Sequence, residues 1–173
     1  MLIRLFRHFF LIALLFAAFI PTVSQGQPEK DEEDKGNIEG SFQARIKNYY
    51  EAWNTLDTEK AGIFYAKDAD LVFYDISPLK YTGWDAYKTG VKKLLEPYTS
   101  FRLVPADDLK ISRRGKIVWT TIGCHFSGVL KDGTKAELDG RHTAIWEKQK
   151  GEWLIVHEHV SVPLAASPAS STK

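Results

Sequence analysis

Apolar side chains recur at steps of three and four residues over positions 38–54, which is the spacing of one face of an α-helix. The stripe consists of Phe42, Ile46, Tyr49, Tyr50 and Trp53. Asp57 then stands as the N-cap of a second, short helix that runs to Tyr65. The same spacing predicts a third helix over Trp84–Leu95, which ends there because Pro97 cannot continue it.

Runs of strand-forming residues make up the rest of this region. The first, DLVFYD at residues 70–75, lies between the second and third helices. Four longer strands are predicted after the third helix, over residues 100–112, 116–130, 135–148 and 152–162. Asp132-Gly133 and Lys150-Gly151 are typical of tight hairpins between them. Three helices followed by an antiparallel meander predict an α+β domain whose sheet curls around the helices and leaves a pocket.

The two ends of the chain differ from this domain. Arg4 and Arg7 precede an apolar run over residues 9–20, which predicts a signal peptide at residues 1–26 and an exported protein, periplasmic or secreted. Leu5 and Phe6 extend the run across Arg7, so an uncleaved anchor is the alternative. After processing, no stable membrane span is expected. Residues 27–38 are densely charged and predict a disordered linker, the domain proper covers 39–163, and residues 164–173 form a disordered tail.

Charge and cysteine content narrow the function classes. There are 23 basic and 22 acidic residues, so no excess of positive charge indicates nucleic acid as a partner. The chain is rich in aromatic residues, with five tryptophans, seven tyrosines and ten phenylalanines, which suit a core or an apolar pocket. Cys124 is the only cysteine, which rules out an intramolecular disulfide and favours a buried, inert thiol.

Two histidines lie on the last predicted strand. Strict alternation places Trp153, Ile155, His157, His159 and Ser161 on one face, and Leu154, Val156, Glu158 and Val160 on the other. His157 and His159 on one face are suited to general acid–base catalysis, or to hydrogen bonding within a polar cavity wall. A metal site needs a third ligand, and no further ligand stands at a recognisable spacing from the two histidines. Neither a metal nor a cofactor is therefore predicted.

The neighbouring strand carries Asp139, Arg141 and Thr143, which alternation places on the face that holds His157. Arg141 is then either a bidentate partner for an anionic ligand or one half of an internal pair with Asp139 or Glu158.

Four local patterns resemble the SnoaL-like members of the nuclear transport factor 2-like superfamily. They are YEAWNxxD at residues 50–57, YAKDA at 65–69, GRHT at 140–143 and WLIVHEHVS at 153–161. Together they span nearly all of residues 41–163. The resemblance implies a cone of curved sheet closed by helices. It implies function less narrowly, because this fold hosts isomerases, dehydratases, cyclases, hydrolases and non-catalytic binding or assembly domains.

The ketosteroid isomerase branch of the fold suggests further roles. Aligning YAKDA with the similar segment of those enzymes brings Tyr49 onto the tyrosine that stabilises the oxyanion and Asp75 onto the general base. The place of their second acid falls near Arg141–Thr143, where this chain has no carboxylic acid. The alternative is that Tyr49 packs in the core and Asp75 caps the turn before Pro78.

These observations lead to two functional hypotheses. The first is an exported domain that binds a small, partly apolar molecule, with or without acid–base activity of the isomerase, dehydratase or cyclase type. Its catalytic candidates are His157, His159, Asp75 and Tyr49, and its ligand-binding candidates are Arg141, Asp139, Thr143, Trp53 and Tyr74. The second is a non-catalytic association or ligand-binding module. In either case the broad sheet is a candidate surface for a homodimer.

Overall fold

The computed structural model describes residues 28–164, with side chains from residue 37 onward. The predicted signal peptide and residues 165–173 lie outside the described residues. The helices are α1 (Pro28–Trp53), α2 (Thr58–Gly62) and α3 (Trp84–Leu95). The strands are β1 (Val72–Tyr74), β2 (Tyr81–Thr82), β3 (Tyr98–Pro105), β4 (Lys110–Arg114), β5 (Ile117–Leu130), β6 (Lys135–Gln149) and β7 (Glu152–Ser161).

The sequence signals are confirmed for α3 and for the start of α2, whereas α2 ends at Gly62 rather than at Tyr65 and α1 begins earlier than expected. α3 has the predicted bounds, and the side chain of Asp57 caps α2 by accepting a hydrogen bond from the Glu59 amide at 2.9 Å. α1 begins at Pro28, so the charged stretch expected as a disordered linker forms its first turns. Proline is favoured at the first helical position, and Glu and Lys are good helix formers, which accounts for the longer helix.

The sheet has the strand order β2-β1-β7-β6-β5-β3, and β4 pairs with β5 beside β3. All strand pairs are antiparallel except β1 with β7, which is parallel. The sheet is therefore mixed at one edge, where a purely antiparallel one was expected. The α+β class is as predicted, with helices covering one face of the sheet.

One predicted strand is broken into two. The segment expected to run continuously over residues 100–112 stops at Pro105 and resumes at Lys110. At the break, the Ala106 amide donates to the Gly123 carbonyl at 2.9 Å, and the Asp108 carboxylate accepts from the Gly123 amide at 2.8 Å. The Asp108 side chain thus replaces a backbone partner for β5.

A β-bulge interrupts the alternation of β7. Ile145 lies opposite His157 and Trp146 lies opposite Ile155, so Val156 is an extra residue with no partner of its own. One extra residue reverses the facing of everything beyond it. Ile155, before the bulge, faces the helices. Glu158, three residues later, faces them as well because of the extra residue.

The core lies between the helices and the inner face of the sheet. The predicted stripe of α1 is buried there, together with Trp84, Tyr87, Val91 and Leu95 of α3. Trp146 of β6 is fully buried, donates its indole N–H to the Thr120 hydroxyl at 3.1 Å and meets the Phe42 ring edge-on. Over residues 28–164, no helix combines the length and apolar character that crossing a membrane requires.

Candidate functional site

A cavity of about 220 Å³ lies between α1, α3 and the inner face of the sheet. Six aromatic side chains form much of its wall: Tyr49, Trp53, Tyr87, Tyr98, Phe101 and Phe126. The partly exposed Ile76 and Leu94 also line it and mark its opening to solvent. Two carboxyl groups, those of Asp75 and Glu158, are its acidic members. The sequence therefore builds an apolar pocket with a few polar groups, which is the usual form of a small-molecule site.

Glu158 is only 1% exposed and is held by three tyrosine hydroxyls. Tyr49 and Tyr65 donate to Oε2 at 2.9 and 2.8 Å, and Tyr87 donates to Oε1 at 2.6 Å. Burial, with the charge of Glu158 adding to it, raises the pKa of all three tyrosines well above the ordinary value. The hydroxyls therefore stay protonated and act as hydrogen-bond donors to a carboxylate, which are strong bonds of their type.

His142 is the fourth neighbour of this carboxylate. Its Nε2 lies 3.4 Å from Glu158 Oε2, within ion-pair distance but without the alignment of a hydrogen bond. Its Nδ1 lies 3.2 Å from the Tyr50 hydroxyl, and its ring stacks on Tyr49. Burial alone would raise the pKa of Glu158, but His142 and the hydroxyls of Tyr87 and Tyr65 outweigh it and hold that pKa below its ordinary value. Glu158 is thus an ionised anchor, satisfied from within the fold.

Of the two carboxyl groups, that of Asp75 has the higher pKa and changes its protonation state closer to neutral pH. It follows β1 directly, lines the cavity, and its Oδ1 accepts a hydrogen bond from the Ile76 amide at 2.7 Å. Burial raises the pKa of Asp75 to about 6, although the Ile76 amide opposes the shift. A carboxyl group with such a pKa both gains and loses a proton near neutral pH, as a general acid or base must.

The predicted placement of six candidates inside the cavity is wrong. His157, His159, Arg141, Asp139, Thr143 and Tyr74 lie on the outer face of the sheet. For the two histidines the cause is the bulge at Val156. For β6 the even-numbered positions, from Gly140 to Trp146, face inward, so Arg141 lies on the opposite face from Glu158 and cannot pair with it.

The outer-face candidates have contacts of their own. His157 Nδ1 lies 2.7 Å from the Val72 carbonyl oxygen, and Asp139 Oδ1 lies 2.8 Å from His125 Nδ1. The Tyr74 ring meets the rings of His157 and His159 edge-on. Among the side chains of residues 37–164, no three His, Cys, Asp or Glu come close enough to hold a metal ion.

Tyr49, Trp53 and Asp75 do line the cavity, as expected. The residues that sequence reasoning missed are Glu158 and His142, although both stand within the WLIVHEHVS and GRHT motifs. Strict alternation assigned Glu158 to the outer face. An acidic residue shortly after the apolar run Trp153–Val156 was the available signal, since such a residue is buried only when several donors surround it.

Three helices packed against one face of a mixed sheet, with a cavity between them, are the architecture of the nuclear transport factor 2-like fold. Residues 43–165 match the SnoaL-like domain, so the chain belongs to the SnoaL-like family. No curated protein matches the chain.

Solved structures share this fold at low sequence identity. A nuclear transport factor 2-like protein from Salmonella enterica serovar Typhimurium is 19% identical, with a TM-score of 0.67 over 80% of this chain and 99% of its own. A candidate scytalone dehydratase from Novosphingobium aromaticivorans is 14% identical, with a TM-score of 0.66 over 82% and 99%. A candidate calcium/calmodulin-dependent protein kinase II association domain from Xanthomonas campestris is 19% identical, with a TM-score of 0.62 over 72% and 86%.

Proposed function

We propose that the cavity binds a small, largely apolar cyclic molecule and that Asp75 moves a proton to or from it. The observation that carries this proposal is the Asp75 carboxyl group in the wall of an apolar cavity, with its pKa raised to about 6. An engineered apolar cavity of ~150 Å³ holds benzene. The 220 Å³ cavity therefore suits a molecule of one or two rings.

The two carboxyl groups have different tasks in this proposal. Glu158 accepts hydrogen bonds from three tyrosine hydroxyls and faces His142, so it holds the floor of the cavity in place rather than reacting. Asp75 accepts only one backbone hydrogen bond in the described structure and stands near the opening. At pH 7 it is mostly ionised and able to remove a proton from a carbon next to a carbonyl group. Many isomerisations, dehydrations and cyclisations of carbonyl compounds begin with such a step.

Deuterium exchange tests this activity without knowledge of the natural substrate. The probe is 2-tetralone, a two-ring ketone, and NMR in D₂O follows the loss of its α-protons. We expect the protein to accelerate exchange, with a rate that rises with pH through about 6. Asp75→Asn should abolish the acceleration, whereas Asp70→Asn, an exposed control before the same strand, should retain it. Equal rates for Asp75→Asn and the unaltered protein would overturn the proposal.

A second candidate function is association between copies of this chain through the outer face of the sheet. Trp119 and Ile145 lie opposite each other on β5 and β6 and are partly exposed at the centre of that face. The similarity to an association domain supports the same idea.

We also propose that the protein is exported through its N-terminal signal peptide. Mass spectrometry of the protein from its native host should find a mature N-terminus near Gln25–Pro28.

A further inference from the structure

A carbonyl compound bound in the cavity needs a group that donates a hydrogen bond to its oxygen. The resemblance to ketosteroid isomerases assigned this role to Tyr49. In the structure, the Tyr49 hydroxyl donates to Glu158 Oε2 at 2.9 Å and lies 3.2 Å from the Tyr65 hydroxyl. A tyrosine has a single hydroxyl proton, so Tyr49 has none left for a ligand.

Trp53 offers the missing donor. It lies one helical turn beyond Tyr49 in the wall of the same cavity and is 4% exposed. Its Nε1 is buried without a hydrogen-bond partner among the described residues. The indole of Trp146 is equally buried, yet its N–H is paired with the Thr120 hydroxyl. Since an unmet buried donor is costly and rare, an unpaired one in a cavity wall indicates that its acceptor arrives with a ligand.

We propose that the indole N–H of Trp53 binds the carbonyl oxygen of the ligand, and that the ligand of this cavity is a small cyclic ketone or aldehyde. This inference rests on the proposed function of the cavity. It names the class of substrate and adds Trp53 to the residues that touch it. Indole is a neutral donor that does not give up its proton, so it favours an oxygen acceptor without demanding a charged ligand.

The two residues then act on opposite parts of one substrate. The Asp75 carboxylate takes a proton from the carbon next to the carbonyl group, and the C–H bond breaks. Its electron pair forms a carbon–carbon double bond, while the carbonyl π pair moves onto oxygen. The enolate oxygen accepts the Trp53 N–H, which is stronger toward this anion than toward the ketone. Returning a proton from Asp75 to the same carbon regenerates the ketone, so the cycle consumes no other reactant and appears in D₂O as exchange of the α-protons.

A competing explanation keeps the Trp53 N–H within the protein. The indole ring is nearly perpendicular to Tyr65 and Tyr87, at centroid distances of 6.2 and 6.3 Å. An N–H directed at an aromatic face is a weak hydrogen bond. In that case the N–H would not respond to an oxygen on the ligand, and the experiment must separate the two explanations.

A pair of ligands that differ only in the carbonyl group makes this separation. We would measure the dissociation constants of 2-tetralone and tetralin for the unaltered protein, for Trp53→Phe and for Trp84→Phe. Phenylalanine keeps an aromatic ring and removes the N–H. Trp84 is the matched control, since it is equally buried but does not line the cavity. Trp53→Phe should lower the preference for 2-tetralone over tetralin by about tenfold, as expected for one buried hydrogen bond, and Trp84→Phe should not change it.

Nitrogen-15 NMR of the unaltered protein gives a readout that does not depend on the folding of a variant. The Trp53 indole proton should move downfield with 2-tetralone and stay nearly in place with tetralin. An unchanged preference in Trp53→Phe, or equal shifts with the two ligands, would overturn the role of Trp53 while leaving the cavity as a binding site. Failure of both ligands to bind the unaltered protein would overturn the proposed function and this inference together.

Discussion

At the scale of single residues, the inner face of the sheet depends on one buried charge. Glu158 has its two oxygens occupied by three tyrosine hydroxyls, and His142 lies on the remaining side. Removing a carboxylate from water is expensive, and only such a complete set of partners offsets the cost. The arrangement also fixes the rings of Tyr49 and Tyr87, which are themselves parts of the cavity wall.

The change Glu158→Gln should destabilise the protein by about 3 kcal/mol, because it leaves three donors and a histidine around a neutral amide. Urea unfolding at pH 7 measures the difference. Glu152→Gln on the same strand is the control, since that side chain is 74% exposed and should matter little. Equal unfolding midpoints for Glu158→Gln and the unaltered protein would contradict an ionised, fully paired Glu158.

The contribution of Asp75 to the free energy of unfolding should depend on pH with the opposite sign from that of Glu158. Its pKa is about 6 in the folded protein against an ordinary 3.8. Between these values the folded state holds a proton that the unfolded chain has lost, so the free energy of unfolding falls as the pH rises. Asp75→Asn carries no charge at any pH. It should therefore match the unaltered protein near pH 4 and exceed it by on the order of 2 kcal/mol at pH 7, with partial exposure reducing the full linkage value.

Denaturant unfolding of both proteins from pH 4 to pH 7 tests this sign. The acid-sensitive contribution of Glu158, whose pKa is lowered, is lost as the pH falls and is common to both proteins, so it cancels in the difference. A difference that does not change with pH would mean that Asp75 is well solvated.

At the scale of elements, local signals in the sequence predicted what local chemistry determines. The bounds of α3, the buried stripe of α1 and the Asp57 cap each depend on residues within one or two turns. The same holds for the hairpins at Gly133 and Gly151, where a positive φ favours glycine. These predictions needed no knowledge of the rest of the fold.

The features that the sequence failed to predict depend on pairing between distant segments. The bulge at Val156 exists only relative to β6, and the break after Pro105 exists only relative to Gly123 of β5. Neither feature changes the pattern of polar and apolar residues within its own strand. Because the bulge lies between Ile155 and Glu158, period two was right for the first half of β7 and reversed in the second. That single residue decided whether the histidines or Glu158 faced the cavity.

At the scale of the whole molecule, the two faces of the sheet have separate chemistry. The inner face holds the aromatic core, the cavity and the Glu158 cluster. The outer face carries polar residues, among them Arg141 and His159, around a less polar centre. A ligand and a partner chain would therefore approach from opposite sides, and binding of one would not obstruct the other.

The outer face leads to a prediction about oligomeric state. Trp119 and Ile145 lie side by side there, partly exposed, and apolar groups placed together on a surface favour association. We expect a homodimer in sedimentation equilibrium at micromolar concentration. Ile145→Lys places a charge at the centre of this face and should yield monomers. Ile63→Lys is the matched control, because Ile63 is 68% exposed beside α2, so it should leave the mass unchanged. A monomeric unaltered protein, or an Ile145→Lys dimer, would show that copies do not associate through this face.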